Sequence, residues 1–126
     1  MIRVFAVFIM VFIVLNCGAI VTSAHAQNVE PAFLTTINDI PLMPGLQELE
    51  DEALVFDKPG GRIVETTAAG AMVTPAQIEQ FYSKTLPQLG WARVSPNHFV
   101  RQGEALNLDV SSQNEYGLVH FSVKPQ

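Results

Sequence analysis

Two stretches near the end of the chain alternate between apolar and polar residues, and this pattern constrains the fold most. They cover residues 104–111 and 118–124. Successive side chains of a strand point to opposite faces, so the alternation predicts an antiparallel sheet with one buried and one solvated face. Such a sheet needs an apolar partner to cover it. The apolar positions are Leu106, Leu108, Val110, Val119, Phe121 and Val123.

One helix is predicted to supply that cover. Thr74-Pro75-Ala76-Gln77 has the spacing of a capping box, with proline at the first helical position. Apolar residues then recur at intervals of three and four, and Gly90 suits the position just after a helix. Trp91 is expected to pack the helix end onto the sheet. The apolar stripe comprises Ile78, Phe81, Tyr82, Thr85, Leu86 and Leu89.

The remaining strands complete the predicted fold. Residues 53–57 and 62–68 form a hairpin across a Pro-Gly-Gly turn, and residues 91–95 and 98–101 precede the alternating pair. We therefore expect the α+β class, as a small antiparallel β-sheet with one α-helix packed on one face. The expected order is β-β-α-β-β-β-β, preceded by a signal peptide.

The N-terminus has the three parts of a secretory signal. Arg3 precedes an apolar run over residues 4–15, and Ala24-His25-Ala26 forms an A-x-A exit. Cleavage is expected between Ala26 and Gln27. The chain then divides into a signal peptide (1–26), an N-terminal leader partly ordered against the domain (27–45) and a single α+β domain (46–126). The expected localisation is periplasmic or secreted.

Two alternatives to cleavage remain open. Residues 4–21 span 18 positions, which is within the range of about 17–25 that crosses a bilayer, although Asn16 and Gly18 weaken this span. An uncleaved anchor would be the chain's one contact with a membrane. A lipoprotein is the other alternative, but Cys17 follows Asn16 where a lipobox requires a small residue.

Composition excludes several classes of function. The whole chain has a formal charge of −5, and loss of Arg3 with the signal makes it −6. A negative chain lacks the positive field that general nucleic-acid binders need, so we expect no nucleic acid as a partner. Cys17 is the only cysteine and leaves with the signal, which removes disulfides, thiolate metal sites and a cysteine nucleophile.

Motifs for chemistry are weak along the chain. The turn over residues 57–62 is rich in glycine but lacks the GK[ST] ending of a phosphate loop, and residues 48–52 are acidic without a calcium-loop pattern. His98 and His120 lie on separate predicted strands, where they could meet with Asp109 to bind a metal or relay a proton. A solvent-facing strand position is the simpler interpretation of His120.

We therefore expect no enzyme activity, no cofactor and no catalytic, cofactor-binding or metal-ligating residues. The polar and charged residues of the predicted turns and strands are instead candidate contacts to a partner. These candidates are Arg62, His98, Arg101, Asp109 and His120.

Two stretches carry a resemblance. The Phe56–Glu65 turn region (FDKPGGRIVE) and the Leu86–Trp91 helix end (LPQLGW), followed by residues 101–104 (RQGE), are similar to small uncharacterised exported proteins of alphaproteobacteria. The likeness covers roughly residues 40–123. Its motifs are turns and packing positions, so the resemblance implies a fold and a periplasmic location and no particular activity.

Four hypotheses follow for function. The first is a non-enzymatic periplasmic module that binds another envelope protein, for which a free sheet edge or polar face offers a surface. The second is a carrier or sensor of a small apolar ligand held between helix and sheet. The third, against the expectation of no enzyme activity, is a hydrolase that uses His98 or His120. The fourth, if the signal is retained, is a membrane-tethered accessory subunit.

Overall fold

We describe residues 30–126 of the chain, from a computed structural model. The predicted signal peptide, its cleavage site at Ala24, Ala26 and Gln27, and the start of the leader lie outside the described residues. Within residues 30–126, a short 3-10 turn (Glu50–Glu52) accompanies one helix and seven strands, which are β1 (Gln47–Glu48), β2 (Leu54–Lys58), β3 (Gly61–Ala71), α1 (Pro75–Gln88), β4 (Ala92–Ser95), β5 (His98–Arg101), β6 (Glu104–Gln113) and β7 (Tyr116–Pro125).

All the strands belong to one antiparallel sheet. Its order is β1-β3-β7-β6-β5-β4, and β2 pairs with β3 on the same side as β1. The α+β class is confirmed, and the predicted elements occur in the predicted order from β2 onwards. The two-residue strand β1 is an addition, since a bridge of two residues has no sequence period to detect.

The last hairpin is longer than the sequence pattern predicts. The alternating runs predict strands over 104–111 and 118–124, whereas β6 extends to Gln113 and β7 begins at Tyr116. Asn114 and Glu115 have φ angles of 49° and 67° and form the whole turn between them. Two left-handed residues define a type I′ turn, whose twist matches that of the flanking strands, so pairing continues up to the turn itself.

The helix begins as the sequence predicts. Thr74 and Gln77 form both bonds of the capping box, and Gly90 follows the helix with φ 89°. The buried face consists of Ile78, Tyr82 and Leu86. Leu89 was expected on this face but is exposed, because the helix has ended at Gln88 and the chain turns there. Trp91 is buried as expected.

The segment before β1 contributes side chains to the core. Leu34, Ile37 and Ile40 are fully buried beside the helix, although their spacing follows no period. Tyr82 fixes this segment to the helix, since its hydroxyl donates to Pro41 O at 2.9 Å and accepts from Met43 N at 3.2 Å. Burial raises the pKa of Tyr82, so the hydroxyl stays protonated as a donor.

Two paired glycines let two connecting segments pass close to the backbone of the sheet. Gly70 of β3 lies opposite Gly117 of β7. A Cβ on Gly70 would lie 2.2 Å from Gly45 O, and one on Gly117 would lie 2.2 Å from Val73 O. Both connections therefore pass over the helix side of the sheet at a distance that no other residue type permits.

Candidate binding surface

The strand β2 is exposed along its whole length although it starts with three apolar residues. Leu54, Val55 and Phe56 are 51%, 57% and 60% exposed. Soluble proteins rarely leave neighbouring large apolar side chains in water without a reason, and such patches commonly mark interaction sites. We call these three residues the β2 patch.

The position of β2 at a sheet edge explains this exposure. Among residues 30–126 it pairs with β3 alone, so its second edge carries unpaired backbone groups. Leu54 and Phe56 pair with Glu65 and Ile63 on the face of the sheet opposite α1, which we call the open face. Val55 points to the helix side, but the covering elements do not reach it. The β2 patch therefore exposes apolar side chains on both faces of the sheet, beside the unpaired backbone groups of its edge.

Charged residues flank the β2 patch. Glu50, Asp51 and Glu52 form the exposed turn just before β2, while Asp57 and Lys58 end the strand. The turn places three negative charges at one end of the patch. An extended segment that pairs with β2 would therefore be favoured if it carried a basic residue at that end.

His120 belongs to a polar row on the open face. Its Nδ1 lies 2.9 Å from Thr67 Oγ1, and its Nε2 lies 3.8 Å from Glu65 Oε2. Lys124 Nζ lies 3.6 Å from the same carboxylate. Carboxylate, histidine and hydroxyl are the residue types of a nucleophilic triad. However, the distance from Nε2 to the carboxylate exceeds a hydrogen bond, so these groups form no continuous relay here.

The two predicted histidines share the open face without meeting. His98 pairs with Asn107 and its ring nitrogen bonds to the Asn107 amide oxygen, while Asp109 pairs with His120. The histidines are therefore separated by the width of β6 and offset by two residues along it. Within residues 30–126, no group of three His, Cys, Asp or Glu side chains is placed to bind a metal ion.

Arg62 and Arg101 lie on the other face and engage groups of this chain. Arg62 Nε and Nη2 donate to Glu104 at 2.8 and 3.1 Å, and Arg101 bonds to Asp39. The hydrogen bond to Glu104 raises the pKa of Arg62. The Arg101 guanidinium also stacks over Trp91, 4.2 Å from its ring centre. The five predicted contact residues are thus split between two faces of the sheet.

Sequence reasoning placed residues 53–57 in a strand but missed their role as the exposed surface. The sequence carries no local signal for this exposure, because a short apolar run has the same pattern in an edge strand as in a buried one.

Comparisons with known proteins give no relative. No protein-family model, no curated protein and no solved structure matches the chain. The class that the fold defines is a small α+β protein with one helix on an antiparallel sheet. Among the described residues, no helix has the length and hydropathy needed to cross a membrane.

Proposed function

We propose that this chain is an exported, non-enzymatic module that binds another envelope protein. The partner contributes an extended segment that pairs with the free edge of β2. The observation that carries this proposal is the exposure of Leu54, Val55 and Phe56 on an edge strand. The signal-like N-terminus supports the compartment, since it has a positive start, an apolar run and a small-residue exit.

Addition of a partner strand to β2 accounts for both its exposed apolar residues and its unpaired edge. Natural edge strands are usually blunted by charges, proline, bulges or a covering element, because an open edge recruits other chains. Among residues 30–126, nothing gives β2 such protection over Leu54–Phe56, and the charged residues lie only at its two ends. A paired segment would satisfy the free backbone groups, and its alternate side chains would cover the apolar ones on both faces.

The chemistry of the partner segment follows from this surface. It is extended, carries apolar residues opposite the β2 patch, and has a lysine or arginine near the acidic turn at Glu50–Glu52. Main-chain bonds would give affinity, and the apolar and basic positions would give specificity.

The test is co-purification with the tagged full chain from crosslinked native cells. Val55→Asp places an unpaired charge in the β2 patch, and Val94→Asp is the matched control. Val94 is 60% exposed on β4, at the opposite edge of the sheet. We expect one stoichiometric envelope protein with the unchanged chain and with Val94→Asp, and its loss with Val55→Asp.

Two results would contradict the proposal. Equal recovery of the partner with both variants would place binding away from β2. A chain that is recovered alone in every case would remove the protein-binding function itself. Circular dichroism of each variant keeps a folding defect from being mistaken for lost binding.

A further inference from the structure

A groove of about 370 Å³ lies between α1 and the segment that precedes β1. Phe81 and Thr85 line it from the helix, and Ala32, Leu42 and Met43 line it from the segment. Its volume is in the range of small-molecule sites. The space between helix and sheet is instead filled by buried side chains, where Tyr82 packs edge-on against Phe121 with ring centres 5.3 Å apart. The groove is therefore a surface site beside the core.

Hydrogen bonds within the chain hold the walls of the groove in place. Leu42 N donates to Ala32 O at 2.8 Å, which joins the start of the segment to its later part. The Tyr82 hydroxyl bonds to Pro41 O and Met43 N, which fixes this later part to the helix. A groove that is already formed loses little conformational entropy when it binds.

The lining offers few hydrogen-bonding groups. Pro31, Pro41 and Pro44 lack backbone N–H groups. Thr85 already donates its hydroxyl to Phe81 O at 2.7 Å. Among the lining residues, Glu30 has the one charged side chain, and it is exposed. Its carboxylate, on a chain of net charge −5, disfavours an anionic ligand.

We propose that this groove binds a small, uncharged, apolar molecule. The proposal is independent of strand addition at β2, because it uses different residues. Apolar contacts with Phe81, Leu42 and Met43 supply the binding free energy. Met43 adapts its unbranched side chain to the shape of the ligand.

The test compares two fluorescent probes with the same aromatic rings. N-phenyl-1-naphthylamine is uncharged, and 8-anilinonaphthalene-1-sulfonate adds one sulfonate. We expect saturable binding of the uncharged probe to the full chain and much weaker binding of the sulfonate. Ala32→Phe, at an exposed lining position, fills the groove and lowers the affinity for the uncharged probe about tenfold or more. Ala92→Phe, at an exposed position on β4, leaves the affinity unchanged.

Val55→Asp is a second control, because the β2 patch is also apolar, and it is expected to leave probe binding intact. The proposal is overturned if the uncharged probe does not bind saturably, or if the sulfonate binds equally well. It is also overturned if Ala32→Phe and Ala92→Phe have the same effect, or if Val55→Asp abolishes binding.

Discussion

Val55 and Val64 lie opposite each other on β2 and β3 and point to the same side of the sheet, yet Val55 is 57% exposed and Val64 only 2%. Within residues 30–126, the elements that cover the helix side therefore stop at β3, and β2 extends the sheet beyond the core.

This relationship predicts unequal costs for the same substitution. Val64→Thr puts a hydroxyl into the core and should lower the free energy of unfolding by about 1–3 kcal/mol. Val55→Thr should change it by less than about 0.5 kcal/mol, because water already reaches the side chain. Urea denaturation of both variants measures the difference. Equal losses would mean that β2 is part of the core after all.

The crossing at the paired glycines predicts a second asymmetry. Gly70→Ala and Gly117→Ala each place a methyl group against backbone oxygen and should cost about 2 kcal/mol or more, or prevent folding. Gly60→Ala is the control, since a Cβ there meets nothing within 4 Å. Thermal unfolding of the three variants provides the comparison. A tolerated alanine at both crossing positions would contradict the close approach of the chain.

Tyr82 should matter through its hydroxyl as well as its ring. Tyr82→Phe removes the bonds to Pro41 O and Met43 N, so we expect a loss of about 1–2 kcal/mol in unfolding free energy. Faster exchange of the Met43 amide hydrogen should accompany it. Tyr116→Phe, at a half-exposed position, is the control and should change neither quantity. Unchanged exchange at Met43 in Tyr82→Phe would contradict the anchoring role.

Glu48 should make stability depend on pH. Burial acts to raise its pKa, but hydrogen bonds from Thr36, Thr35 and Thr66 outweigh burial and lower the pKa below the ordinary value of 4.5. As pH falls, the Glu48 carboxylate therefore takes up its proton at a higher pH in the unfolded chain than in the folded chain. The stabilisation is fully present above the ordinary pKa and is lost as pH falls through the lowered one.

We therefore expect Glu48→Gln to reduce stability at neutral pH and to flatten its decline below about pH 4.5. Glu52→Gln, which replaces a carboxylate on the exposed turn, is the matched control. Urea midpoints between neutral pH and pH 3 measure both. Parallel profiles for the unchanged chain and Glu48→Gln would show that this carboxylate does not contribute.

The sequence predicts those parts of the fold that follow a regular local pattern of residues. The alternation at Leu106 and Leu108 gives a strand, and the capping box at Thr74 gives the helix start, because both depend on local geometry. The packing of Leu34 and Ile37 is different, since an irregular segment buries each side chain at a place set by distant residues. No local period records that arrangement.

The candidate surface was harder to predict for the same reason. Nothing in Leu54-Val55-Phe56 indicates that the elements covering the helix side of the sheet end at β3 and leave β2 exposed. Likewise, the sequence does not show that Arg62 and Arg101 are paired. The sheet register brings Glu104 to Arg62, and the segment before β1 brings Asp39 to Arg101. Exposure and ion pairing are properties of the folded chain.

Site-specific photocrosslinking in living cells tests strand addition at β2 most directly. A benzoylphenylalanine replaces Phe56 in the full chain, and a second variant carries it in place of Val94. We predict a light-dependent adduct with one other envelope protein from position 56 and none of that mass from position 94. No adduct from 56, the same adduct from both, or an adduct from 56 with a second copy of this chain would contradict the account.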